Sequence, residues 1–159
     1  MKLDKNLLKK IIQKLKEKKI TISFAESITG GNAAASLVFF SGSSNYFNSS
    51  IVTYTNEQKI KLLNVKEITL SKYGAISEQT AYEMALNLKN KTESDICISF
   101  TGNAGPIVHE NKKVGLTFIT LVIFDKFYNY KFESNQTKRS LIIIDTINFA
   151  FAKLNNLLL

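Results

Sequence analysis

The chain has 159 residues, of which 45% are hydrophobic and 21% charged, with one cysteine and one proline. That is the length of one ordinary domain, and its apolar content suffices to bury a core, which excludes wholesale disorder. Cys97 has no partner for a disulfide, no apolar run reaches the roughly 18 residues of a spanning helix, and the charged N-terminus lacks a signal-peptide core. The expectation is a single domain over residues 1–159, in a reducing, cytoplasmic compartment and away from membranes. The formal charge of +8 invites a nucleic-acid reading, but Arg139 is the only arginine. Phosphate and base recognition favour the bidentate guanidinium fork, so the lysines of residues 2–19 read better as a solvated helix face than as a nucleic-acid patch. The charge still favours an anionic ligand.

In chain order, Leu3, Leu7, Leu8, Ile11, Ile12 and Leu15 recur at helical spacing and predict an amphipathic helix over 3–18. A short strand over 20–25 ends at Glu26-Ser27, and a helix of small residues follows Gly30-Gly31. A polar loop at 41–46 leads to a strand over 48–54, then to a helix at 56–63 capped by Thr55 or Asn56. A second long helix is predicted over 77–91 with Ser77 as its cap, then a strand over 95–101. Residues 114–124 and 127–133 are rich in β-formers, with Asp125-Lys126 as the hairpin turn, and a last helix covers 136–157. Helices and strands interleave throughout, which predicts an α/β fold, a three-layer α/β/α domain whose sheet is mixed because of the hairpin.

Three places depart from this pattern, and each follows a predicted strand, where open α/β sheets place ligands. In Ser27-Ile28-Thr29-Gly30-Gly31 the glycines permit a tight turn before a helix. Such a turn can hold an anion or an oxyanion beside a serine nucleophile, or serve simply as a helix start. In Tyr54-Thr55-Asn56-Glu57-Gln58-Lys59 the lysine falls near a helix N-terminus. The helix dipole and burial would there lower its pKa toward that of a general base; otherwise it is a surface lysine. Thr101-Gly102-Asn103-Ala104-Gly105-Pro106 offers backbone donors at a strand end, or a plain turn. His109, the only histidine, sits in a polar loop and is expected outside the site. One histidine and one cysteine cannot supply the usual metal-ligand set, so no metal or other cofactor is expected.

Six segments in order resemble the CinA C-terminal domain family. Ala25-Glu26-Ser27-Ile28-Thr29-Gly30-Gly31 is similar to its A-E-S-x-T-G-G, and Ser41-Gly42-Ser43-Ser44 with Tyr46-Phe47 to its P-G-S-S-x-x-F. Val52-Thr53-Tyr54-Thr55-Asn56-Glu57-Gln58-Lys59 resembles V-x-Y-S-N-x-x-K, and Leu63-Asn64-Val65 resembles L-G-V. Tyr73-Gly74-Ala75-Ile76-Ser77-Glu78 resembles H-G-A-V-S-E, and Thr101-Gly102-Asn103-Ala104-Gly105-Pro106 resembles T-G-x-A-G-P. Stand-alone members of that family are nicotinamide-nucleotide amidohydrolases. The resemblance therefore implies hydrolysis of the carboxamide of nicotinamide mononucleotide to nicotinate mononucleotide and ammonia, in the pyridine nucleotide cycle. It implies Ser27, Tyr54 and Lys59 as the catalytic group and Thr101 and Arg139 around the substrate; the turn residues Thr29, Gly30, Gly31 and Gly102 are expected beside them as substrate-binding positions. A homo-oligomer is also expected. The chain departs from the family after Ala104-Gly105-Pro106, where Ile107 to Lys113 replaces a glycine-rich stretch and the proline of K-P-V-G becomes Lys113. That departure motivates an alternative, a degenerate nucleotide-binding module. The basic charge and the family's historical name motivate another, a competence or DNA-damage accessory protein.

Overall fold

The computed structural model describes residues 2–158. One five-stranded sheet forms the middle layer, in the order β2-β1-β3-β4-β5, built from β1 (Ile22–Glu26), β2 (Phe47–Val52), β3 (Ile96–Gly102), β4 (Leu116–Ile123) and β5 (Lys126–Glu133). β1 pairs in parallel with β2 and β3, while β3–β4 and β4–β5 are antiparallel, so the sheet is mixed as the hairpin predicts. The hairpin turn is Phe124-Asp125, one residue earlier than expected. Ile123 pairs with Lys126, and Phe124 adopts a left-handed φ of 53°.

The period-two alternation of the strands sorts their side chains between two cores. On one face Ile22, Phe24, Ile96, Ile98 and Phe100 meet α1 (Lys5–Lys18), α2 (Asn32–Val38) and α6 (Arg139–Leu157). Phe24 is central there, with Phe47, Phe100 and Phe151 rings around it. Each such buried side chain contributes about 1.5–3 kcal/mol. On the other face Ala25 and Cys97 lie under α3 (Asn56–Leu63), α4 (Glu67–Tyr73) and α5 (Glu78–Thr92). Small residues on this face let α5 approach closely enough for the Ser99 hydroxyl to donate to the Ala81 carbonyl at 2.6 Å.

The helix over 67–73 is absent from the sequence reading. It is two turns long and opens with β-branched Ile68 and Thr69, which weaken a helical signal. Its first turn is tied from outside: Glu83 of α5 accepts from the Lys66 amide and the Thr69 hydroxyl. The last helix begins at Arg139 rather than 136. The lysines of α1 are exposed except Lys14, which is half-buried and donates to Asn155 of α6, while Leu8, Ile11, Ile12 and Leu15 are buried. Among the described residues no helix is long and apolar enough to cross a membrane.

Strand order places the site. From β1 the chain moves to one side to form β2 and later returns to the other side to form β3, so the connections diverge above the C-terminal end of β1. A crevice opens at such a switch point. The C-terminal ends of β1, β2 and β3 carry Ser27, Thr53-Tyr54 and Thr101-Gly102 to its rim.

Candidate active site

Ser27 follows the last residue of β1, and its amide donates to the Phe100 carbonyl at 3.0 Å, which extends the β1–β3 ladder by one residue. Beyond it the chain reverses through Gly30 and Gly31, with φ of 55° and 93°, a region that glycine enters without steric cost. Glu26 stabilises this turn. Its fully buried carboxylate accepts from the amides of Gly31 at 2.9 Å, Ala33 at 3.1 Å and Ala34 at 3.0 Å, and from the Ser50 hydroxyl at 2.9 Å. The acidic side chain therefore occupies the N-terminus of α2, satisfying donors that have no partner within the helix.

This arrangement corrects one expectation. The Gly31 amide is held by Glu26, and the Gly30 amide donates to the Ser27 carbonyl at 3.1 Å, so neither is free to hold an oxyanion. Thr29 is buried beneath the turn; its hydroxyl has no hydrogen-bond partner among the described residues, and it does not line the cavity. The signal for Glu26 was a carboxylate ending an otherwise uncharged strand immediately before the serine.

Lys59 lies in the first turn and a half of α3, whose N-cap Thr55 accepts from the Gln58 amide. It is only 1% exposed, an unusual state for lysine. Its Nζ stands 3.0 Å from Ser27 Oγ and donates to the Thr53 carbonyl, also at 3.0 Å. Burial lowers its pKa from the ordinary value to about 8, against the opposing pull of the Glu110 carboxylate, which favours the ammonium. A neutral amine has two N–H groups and one lone pair. With one N–H held by the Thr53 carbonyl, the lone pair can turn to the serine hydroxyl. Thr53, a contributor through its backbone alone, has no signature in a sequence.

Ser27 and Lys59 form the floor of a cavity of 260 Å³ whose walls include Tyr54, Ala75, Ile76, Thr101, Gly102 and Arg139. Tyr54 is not bonded to the Ser27–Lys59 pair, contrary to the expectation of a three-membered cluster. It is 58% exposed, and its hydroxyl accepts from the Arg139 guanidinium. Arg139, the first residue of α6, also donates to the Gly105 carbonyl, so one fork braces the tyrosine and the turn after β3. The Thr101 hydroxyl donates to the Ala75 carbonyl at 2.6 Å and so fixes the opposite wall. His109 lines the same cavity, closer than the sequence reading placed it, with no hydrogen bond to Ser27, Lys59 or Tyr54 among the described residues. No group of three His, Cys, Asp or Glu side chains suited to a metal ion occurs among the described residues. Chemically, the arrangement offers a hydroxyl beside a buried, partly neutral amine, in a cleft with a fixed cation at its rim.

Comparison with known proteins agrees with this architecture. The chain is 42% identical over 129 residues to Protein MG115 of Mycoplasma genitalium, covering 81% of this chain and 82% of that one. It is 48% identical over 128 residues to a CinA-like protein of Endomicrobium trichonymphae, covering 80% of this chain; it spans only 30% of that longer relative. The crystal structure of a competence or damage-inducible protein from Enterobacter asburiae superposes with a TM-score of 0.95 at 25% identity, covering 100% of both chains. The family model described as the CinA C-terminal domain matches residues 4–158, and with Ser27, Lys59 and Gly102 set around one switch-point cavity, this chain belongs to the CinA C-terminal domain family.

Proposed function

We propose that the chain is an amidohydrolase that cleaves the carboxamide of nicotinamide mononucleotide, releasing nicotinate mononucleotide and ammonia. The observation that carries this reading is the 3.0 Å approach of the buried Lys59 amine to the Ser27 hydroxyl at the floor of a cavity. Neutral Lys59 takes the hydroxyl proton as Ser27 Oγ attacks the carboxamide carbon. The developing oxyanion faces the Thr101–Gly102 edge of the cavity, since the Gly30 and Gly31 amides are occupied. An oxyanion donor contributes about 2.7–4 kcal/mol in hydrolases that use one. The proton held by Lys59 passes to the departing nitrogen as the tetrahedral adduct collapses, ammonia leaves, and water hydrolyses the acyl-serine by the same base.

The test is ammonia release from nicotinamide mononucleotide, set against nicotinamide riboside and free nicotinamide. Release from the mononucleotide above the other two supports the reading; release from none contradicts it. The tied 107–113 loop, with Glu110 bonded across the cavity mouth, favours a second reading, a binding module. Binding of the mononucleotide without ammonia release would select it.

Arg139 is assigned here to the anionic end of the substrate, where a planar fork suits phosphate. Arg139→Ala is expected to raise KM roughly tenfold or more, about 1.4 kcal/mol, with a smaller effect on kcat. Arg139→Lys should recover little, because one ammonium cannot brace Tyr54 and Gly105 while also binding an anion. An unchanged KM in steady-state kinetics would refute the assignment.

A further inference from the structure

Residues 107–113 are tied to the site at two points, by the Glu110 carboxylate and by the Asn103 side chain, which donates to the Lys112 carbonyl at 3.1 Å. His109 and Lys112 pair across a two-residue turn, and Glu110 and Asn111 between them hold left-handed φ values of 53° and 54°. Asparagine enters that region readily, whereas glutamate does so rarely, so Glu110 is the strained member of the turn. Glu110 Oε1 accepts from the Ala75 amide at 2.8 Å, and Oε2 from the Ile76 amide at 3.0 Å. Gly74 makes the approach possible, since a Cβ there would collide with Glu110 Oε2. The same wall is held from the other side by the Thr101 hydroxyl on the Ala75 carbonyl.

We propose that Glu110 is a positioning residue of this site, fixing the Ala75–Ile76 wall and presenting the negative charge that faces the Ser27–Lys59 pair. The inference takes the Ser27–Lys59 chemistry above as its basis and adds the group that governs it. The other charged or titratable side chains lining the cavity are Tyr54, His109 and Arg139; α3 itself carries Glu57 and Lys61, and β1 ends in Glu26. On α5, which packs on α3, Glu83 is committed to Lys66 and Thr69. Glu110 lines the same cavity as Lys59, and its negative charge favours the protonated amine. Its removal should therefore make Lys59 easier to deprotonate and the wall easier to open.

Two measurements on the whole chain test this, and neither requires turnover. The first is the NMR titration of the Lys59 side chain, assigned by its loss in Lys59→Met. The second is hydrogen exchange at the Ala75 and Ile76 amides, with β1 and β3 amides as controls for folding. Glu110→Gln, close to isosteric, is expected to lower the Lys59 midpoint by at least about 0.3 unit, a factor of two in the proton equilibrium. It should also speed exchange at least tenfold at one of the two amides, since a carboxamide keeps one acceptor oxygen and its NH2 can only donate. Glu110→Asp keeps the charge and should hold the midpoint near wild type while the amides still exchange faster, because its carboxylate is one methylene short. An unchanged midpoint in Glu110→Gln overturns the proposal, and so does unchanged exchange at both amides. If the wild-type protein releases no ammonia, the amidohydrolase reading falls, while the titration and exchange still decide the role of Glu110.

Discussion

Ser27→Ala is expected to abolish ammonia release from nicotinamide mononucleotide, with kcat falling on the order of 10⁴–10⁶-fold, as when a hydrolase loses its nucleophile. Among the described residues no second hydroxyl is bonded to the Lys59 amine, which meets Ser27 Oγ and the Thr53 carbonyl. Lys59→Arg should be nearly as damaging although it keeps a cation, since a guanidinium does not deprotonate at working pH. Burying that bulkier charge would also strain a position only 1% exposed. Lys59→Met separates the two effects: it fits the space without a charge and should be folded but inactive. Substrate affinity should survive in Ser27→Ala, because the serine touches the reacting carbon rather than the anchoring groups. If Ser27→Ala retains a tenth of wild-type turnover, the nucleophile is elsewhere.

Glu26→Ala is expected to cost about 3–5 kcal/mol of folding stability, the largest loss anticipated for any side chain outside the apolar cores. The carboxylate satisfies three amides of the 31–34 turn and the Ser50 hydroxyl; all of them would lose their acceptor, the Ala33 amide in the buried interior and the other three at half-buried positions. For a chain of this length the midpoint of thermal unfolding should fall by roughly 10 °C or more. Glu26→Gln keeps one acceptor oxygen and the shape of the side chain, so its loss should be smaller, about 1–2 kcal/mol. Denaturant unfolding of the two variants against wild type measures the difference. An alanine variant within 1 kcal/mol of wild type would show that water, not the carboxylate, satisfies these amides.

These two residues show what a sequence discloses and what it conceals. Ser27 and Lys59 stand 32 positions apart, and each alone has an ordinary reading, a helix start or a surface lysine. Their ordered motifs joined them, and the switch at β1 supplies the physical reason: parallel strands on both sides of β1 bring their C-terminal ends to one edge. The long elements were legible for a similar reason. The stripe of Leu8, Ile11, Ile12 and Leu15 has one helical solution, and alternating Ile96, Ile98 and Phe100 have one strand solution. What stayed hidden depended on partners distant in sequence. The 67–73 helix relies on Glu83, the Gly31 amide is taken by Glu26, and Tyr54 turns from Lys59 to Arg139, 85 positions away. Glu110 was hidden in a second way, because its segment matches no family motif and its role passes through the backbone of residues 75 and 76.

The most direct test of the central claim, that Lys59 acts as the base for Ser27, is the pH dependence of kcat/KM for ammonia release between pH 6 and 9.5. The folded-state pKa of about 8 lies below the ordinary lysine value, so the amine is protonated at the acid end and neutral at the alkaline end. Only the neutral amine can accept the serine proton, which fixes the sign: activity rises with pH and levels off once Lys59 is deprotonated. The expected profile climbs tenfold per unit below a midpoint near 8 and is flat above it. A profile that is level across this range, or that falls as pH rises through 8, would contradict Lys59 as the base.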